Sequence, residues 1–446
     1  MTADMRSGEP GVSPSRIEKS VLENGVRVIT HHMEGVRSTS MAVLVDAGPR
    51  QEAAGEYGLA HLCEHLIFQG TSSRDAIEIA RVMDGAGGQV GAFTAKDYTC
   101  YYAKTLDDYL PYALDLLGDV LLNSIFPPEH VAREKNAILC EIESRQDNPE
   151  LRADQLLKAK MWPGHSLGRP LCGGAASIAS LDREDIIYFV HRHYLPGRII
   201  IAAAGALDHE DFAAQVRDAF WRLAGEGEDA VGPPLTTHGG AVVERRSLSQ
   251  AYFCLGIPAP PYDHPDRFDL HVLNKVLGAG ISSRLFRRLR EETGLVYAIN
   301  SEIQAYRDAG VWVIEGSTIP DNMIHVLEAI REEFMGLLEG THSADFEELP
   351  RARRQIEARY LLDSEDTYTC MSRLATQELY FGRQQDDEEI LTQIREVTGK
   401  SLARRADQIL DSLRGAGPAL AIIAPEHDGI PHEDVFSGWL ADFARR

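Results

Sequence analysis

The 446-residue chain contains no run of about 18 uncharged apolar residues, the length that a spanning helix needs, so no membrane-crossing segment is expected. Basic residues are scarce. Lys and Arg number 45 against 68 Asp and Glu, a formal net charge of −23. A binder of phosphate backbones needs a basic face, so nucleic acid is not an expected partner. An acidic surface suits cationic ligands or basic peptides instead. Cysteines are few, at positions 63, 100, 140, 172, 254 and 370, and none forms a C-x-x-C pair. That spacing fits reduced thiols in a cytoplasmic protein and not a disulfide scaffold. The start, Met1-Thr2-Ala3-Asp4-Met5-Arg6, has no apolar core of a secretory signal, and residues 1–17 are expected to be a flexible tail. What the chain does have is a globular composition, 44% hydrophobic and 25% charged, and enough length for more than one domain.

Two halves follow, each alternating strands with long helices. In the first, 18–224, strand-like runs at 25–30 and 39–45 precede helices near 56–68 and 74–86. An extended stretch covers 90–104. Helices are predicted over 107–122, 128–146 and 150–162, then a strand at 198–205 and a helix at 208–223. Gly-Glu-Gly-Glu-Asp and Gly232-Pro233-Pro234 mark a linker over 225–245. The second half, 246–446, repeats the order, with strands near 249–257, 298–306 and 310–316. Its helices are predicted near 264–278, 282–293, 320–338, 343–362 and 364–381. The reading is α+β: two duplicated α/β-sandwich-like domains, each a mostly antiparallel sheet packed by helices. The duplication rests on element order, because few residues match between the halves.

The sharpest motif is His61-Leu62-Cys63-Glu64-His65, an H-x-x-E-H pattern. On a helix, positions i, i+3 and i+4 share a face, so both imidazoles and the carboxylate converge. Leu62 and Cys63 point elsewhere, into packing. Two histidines with an oxygen ligand suit Zn²⁺ with one coordination position open. A third ligand must come from another element. Glu134 and Glu141 lie seven residues apart on a predicted helix, two turns, and so share a face. One could ligate a metal and the other orient a histidine, or both could belong to an ordinary solvated face. Two other histidine pairs compare poorly. His191-Arg192-His193 has metal-like spacing on a predicted strand but no acidic helper. His31 and His32 are adjacent and point to opposite faces of a strand.

His61 to His65, followed much later by Glu141, resembles the zinc site of the pitrilysin/insulinase metallopeptidases, a family that includes the mitochondrial processing peptidase and its bacterial relatives. The resemblance runs over about residues 18–430. It implies one Zn²⁺ per chain held by His61, His65 and Glu141, with Glu64 as catalytic base and Glu134 behind the ligands. It also implies that Phe68 lies near the pocket for the residue after the scissile bond. Gly87-Gly88-Gln89-Val90-Gly91-Ala92-Phe93-Thr94 resembles the strand that pairs with substrate backbone, which implies substrate contacts at Gly91 and Ala92. The family usually has Asn where this chain has Gly91. In the second half, Leu277 to Phe286 resembles a glycine-rich loop. Leu289 to Tyr297 resembles an Arg/Tyr motif, in which Arg290 and Tyr297 reach the zinc site.

The implied activity is zinc-dependent cleavage of unstructured peptides or precursor leader segments. The alternative is a non-catalytic structural or partner subunit of a processing complex. The implied assembly is half of a clam-shell chamber, as a homodimer or a heterodimer with a related chain. All proposed ligands precede Gly232, so a fragment ending there is expected to keep the metal group.

Overall fold

A computed structural model describes residues 16–226, 235–342, 347–426 and 429–445. Most of the expected flexible tail, residues 1–15, and the centre of the expected linker, residues 227–234, lie outside the described residues.

The first half contains β1 (Arg16–Val21), β2 (Arg27–His32), β3 (Ser38–Val45), α1 (Leu59–Leu66), α2 (Ala76–Gly85), β4 (Gln89–Thr94) and β5 (Thr99–Leu106). It continues with α3 (Leu110–Asn123), α4 (Pro128–Asp147), α5 (Pro149–Met161), α6 (Ala175–Ser180), α7 (Arg183–His193), β6 (Ile199–Gly205) and α8 (His209–Phe220). The second half contains β7 (Gly240–Arg246), β8 (Ala251–Ala259), α9 (Arg267–Leu277), β9 (Val296–Ala305), β10 (Gly310–Thr318) and α10 (Met323–Gly340). Then come α11 (Glu348–Asp363), α12 (Thr367–Phe381), α13 (Asp387–Arg395), α14 (Gly399–Gly415), β11 (Ala419–Pro425) and α15 (Glu433–Arg445).

β7 occupies part of the stretch read as linker, and β1 includes the last residues read as tail. α7 replaces the strand expected around His191. Its Asp182 cap accepts from the Asp185 amide, and an apolar face of Ile186 and Phe189 buries against the core. His193 ends that helix, bonded by Arg192 and Arg198. No helix of the described residues is long and apolar enough to cross a membrane.

The duplication is written in the sheets. The first has the order β1-β2-β6-β3-β5-β4, the second β7-β11-β8-β10-β9. Each joins its early strand in parallel to its last strand, β2 to β6 and β7 to β11, and every other pairing is antiparallel. Without β1, the two orders superpose strand for strand.

Both sheets are buried on both faces, which explains their apolar runs. Along β6, Ile199, Ile201 and Ala203 enter the core of their own half, whereas Ile200, Ala202 and Ala204 face the other way. What covers that second face comes from the other half of the chain. α12 lays Cys370, Met371, Leu374, Ala375 and Leu379 against β2, β3 and β6. Reciprocally, α5 lays Ala153, Leu157 and Met161 on β8 and β11. A Cβ on Gly256 would sit 2.8 Å from Met161 Sδ, so glycine lets α5 rest on the strand. Ion pairs fix both exchanges. Glu378 of α12 is held by Lys19 and Arg27 at 2.8 and 3.4 Å, and Arg152 of α5 binds Glu244 of β7 at 2.6 Å. Each large apolar side chain so buried contributes roughly 1.5–3 kcal/mol.

Candidate metal centre

α1 is short and unusually placed. Six of its eight residues are buried, His61 among them. Gly58 precedes it at φ +93°, a conformation that favours glycine, and a Cβ there would meet the Cys172 carbonyl oxygen at 2.5 Å. The buried Glu52 carboxylate accepts the amides of Gly58 and Ala60 at 3.1 and 3.0 Å, taking up free donors at the helix start. Cys63 is packed into the core of its own half, and burial pushes its thiol well above its ordinary value.

The helix turns His61, Glu64 and His65 to one side, where α4 delivers Glu134 and Glu141. Ligand atoms of His61, His65 and Glu141 all lie within 4.8 Å of one another. His61 Nε2 is 3.6 Å and His65 Nε2 3.8 Å from Glu141 Oε2. A tetrahedral zinc with ligands at ~2.0–2.2 Å spaces them roughly 3.3–3.6 Å apart, close to these two distances.

The surroundings support ligation. Glu134 Oε2 accepts from His65 Nδ1 at 3.3 Å, which puts the proton on Nδ1 and leaves the Nε2 lone pair facing Glu141. Burial, reinforced by His65, pulls His61 down to about 4, so it stays in the neutral form that binds metal. Its Nδ1 is buried with no hydrogen-bond partner among the described residues. Burial acts to raise the Glu141 carboxyl. The Arg145 hydrogen bond, at 2.7 Å, the Arg145 charge and the Cys172 hydrogen bond outweigh that and hold it below its ordinary value. It is therefore anionic when a cation arrives. The donor set of two imidazoles and one carboxylate fits zinc.

Glu64 is set apart from these three. Its Oε2 lies 4.0 Å from His61 Nε2 and accepts the Thr94 hydroxyl at 2.8 Å. Burial raises its carboxyl above the ordinary range despite the Thr94 bond, which strengthens it as a proton acceptor. Thr94 ends β4, the outermost strand of its sheet, paired only with β5. Gly91 and Ala92 lie on that strand, so its free edge runs past the proposed base. Gly91 stands opposite Tyr102, whose hydroxyl would lie 3.1 Å from an added Cβ, and Tyr102 in turn packs edge-on to Tyr368 of α12. An asparagine side chain there would have to displace that ring. Phe68 follows α1 and packs edge-on to Tyr101, with ring centroids 6.2 Å apart.

Arg290 and Tyr297 come together as expected from their spacing. The guanidinium lies 5.1 Å from the Tyr297 ring centroid and donates to the Val296 carbonyl at 3.1 Å. Tyr297 is 69% exposed. Among the described residues, no hydrogen bond or ion pair joins either to the α1–α4 group.

Sequence reasoning missed four residues of this site. Arg145 stands four after Glu141 on one helix face, a readable spacing. Thr94 lies inside the motif already noted. Cys172, which donates to Glu141 at 3.4 Å, and Glu52 arrive from loops and carry no local signal.

Comparison with known proteins decides the family. The model of the insulinase family, peptidase family M16, matches residues 27–175, and that of the peptidase M16 inactive domain matches residues 180–356. An uncharacterized zinc protease of Mycobacterium leprae is 35% identical over 413 residues, 91% of each chain. The chain belongs to the M16 peptidase family. A zinc protease of Bacillus subtilis, likewise named uncharacterized, is 33% identical over 409 residues, 92% of this chain and 98% of the Bacillus one. A protease of Helicobacter pylori shares the M16 fold at TM-score 0.85 and 22% identity, covering 93% of this chain and all of that one. The peptidase M16 inactive-domain structure from Pseudomonas fluorescens gives the same TM-score and identity. The fold and family expected from the residues thus hold, with two M16 domains.

Proposed function

We propose that the chain is a zinc-dependent endopeptidase acting on unstructured peptide segments, such as short peptides or precursor leaders. The observation that carries this is the convergence of His61, His65 and Glu141 beside a raised Glu64, next to the free edge of β4. Bound by those three residues, zinc supplies a Lewis acid that makes water a nucleophile at neutral pH and polarises the scissile carbonyl. The chain's own residues do the rest. Glu134 keeps His65 in its ligating tautomer. The β4 edge receives the substrate backbone as an added strand, which excludes folded segments. Glu64 takes the proton of the attacking water and passes it to the leaving amine, while Thr94 fixes its orientation. Arg290 and Tyr297 supply donors from the second half to the substrate or its developing oxyanion.

The reading includes a cytoplasmic location and work as a homodimer or with a related chain. A non-catalytic subunit would have no need of an intact base, and here Glu64 is present and held. The test is Glu64→Gln. The protein should fold and retain zinc, yet lose peptide cleavage by roughly 10²–10⁴-fold, the share of a positioned base. Near wild-type cleavage by zinc-loaded Glu64→Gln rules the mechanism out.

A further inference from the structure

A cavity of about 250 Å³ lies between the end of α4, α5 and the loop at 169–174. Arg145 and Cys172 line it, and both hydrogen-bond Glu141, so it opens one side chain away from the metal group. Its charge is opposite to that of the chain. Lys96, Arg145, Lys158 and Arg169 line it against Asp154 alone. Two of these cations are neutralised, Arg145 by Glu141 and Lys158 by Asp154, each at 2.7 Å. The other two have no carboxylate partner among the described residues. Lys96 donates only to the carbonyls of Ser166 and Arg169. Arg169 stacks over the Tyr57 ring at 4.1 Å, and its Nε is buried with no hydrogen-bond partner. Burial, helped by Lys158, lowers the Lys96 ammonium to about 8, although the Glu52 and Asp154 charges act against that shift. The buried Glu52 charge is felt by both cations but contacts neither, so in a chain of net charge −23 the cavity keeps two half-buried cations with no carboxylate in contact among the described residues, a setting that suits an anion.

We infer that this cavity is a subsite for a carboxylate of the bound peptide, either an acidic side chain or the C-terminal carboxylate, with Arg169 and Lys96 as its partners. The planar guanidinium of Arg169 suits a carboxylate, and the Ile142 and Leu171 side chains supply apolar wall for the stem. This inference rests on the peptidase reading for its substrate class.

The test uses the full-length zinc-loaded chain and quenched fluorescent peptides. One series differs by Glu against Gln at each position flanking the cleavage site. The other differs by a free against an amidated C-terminus, and so separates the two sources of carboxylate. Wild type should favour the charged member of one series by roughly tenfold in kcat/KM, a charge-assisted hydrogen bond's worth. Arg169→Gln should bring that ratio near unity, and Arg169→Lys should restore much of it. No preference in wild type, or a preference untouched by Arg169→Gln, overturns the inference. If wild type cleaves nothing, the peptidase reading fails. Fluorescence anisotropy of the same labelled peptides then decides the subsite, with the same ratio expected in affinity.

Discussion

The two halves share one topology and differ in what their first helix does with its polar groups. In the second half, α9 buries Asn274, whose side-chain oxygen accepts from Ser301 Oγ at 2.6 Å and Trp312 Nε1 at 2.7 Å. That acceptor is used up inside the domain and ties a helix to its sheet. In the first half, α1 turns His61 and His65 toward Glu141 on α4, with both Nε2 atoms facing that carboxylate. The scaffold therefore does not make a metal site by itself. A site arises where the scaffold's polar atoms are left without protein partners, and the same fold is a wall where they are not.

The comparison breaks most directly at the third ligand. Glu141→Ala should abolish zinc retention, read by metal analysis after gel filtration, because a three-residue donor set cannot spare its carboxylate. Retention equal to wild type would place the ligand elsewhere on α4. The next largest effect asks whether the second half takes part in chemistry. Tyr297→Phe should lower kcat/KM by roughly 10²–10³-fold with zinc content unchanged, the usual cost of one oxyanion donor. Unchanged kinetics would leave that half a wall only. The exchanged helices give a third test. Leu374→Ala should cost ~2–5 kcal/mol and raise amide exchange in β2, β3 and β6, although residue 374 belongs to the second half. Leu157→Ala should do the reverse, loosening β8 and β11. Exchange confined to the mutated helix's own half would show that the halves are stabilised separately.

The smallest effect separates α1 from α9 by pH. Burial raises Glu52 to about 7 against the effect of its two amide bonds, and its ordinary value is 4.5. The folded chain thus holds this proton where the unfolded chain has lost it. Its contribution to stability is full below about pH 4.5 and is lost as pH rises through about 7, up to roughly 3 kcal/mol. In Glu52→Gln that slope should vanish from denaturant unfolding curves. A slope shared by both proteins would assign it to other groups.

Much of this was legible in the residues. The H-x-x-E-H spacing, the Glu134–Glu141 pair and the repeated element order are local or periodic signals; the structure brings the motif and the pair side by side, and the two sheets repeat the order. The expected strand at His191 failed because α7 carries its apolar face in a mixed polar background, with its histidines in the last turn. The expectation that a fragment ending near Gly232 keeps the metal group meets a feature that no local signal carries. Such a fragment retains His61, His65 and Glu141 but loses α12, leaving Ile200, Ala202 and Ala204 of β6 and Ala42 and Leu44 of β3 uncovered. Alternating apolar strands announce that both faces are buried. They do not announce which distant helix does the burying.

The exchange of α5 and α12 has a consequence during synthesis. The nascent chain delivers every residue of the metal group before α12 exists, and β1, β2, β3 and β6 wait with one apolar face bare. α5, already made, has its own seat on strands not yet translated. Each sheet is thus completed by a helix of the other half, through contacts of large sequence separation. The sheet beside the candidate metal group is therefore covered on both faces only once the C-terminal half is in place.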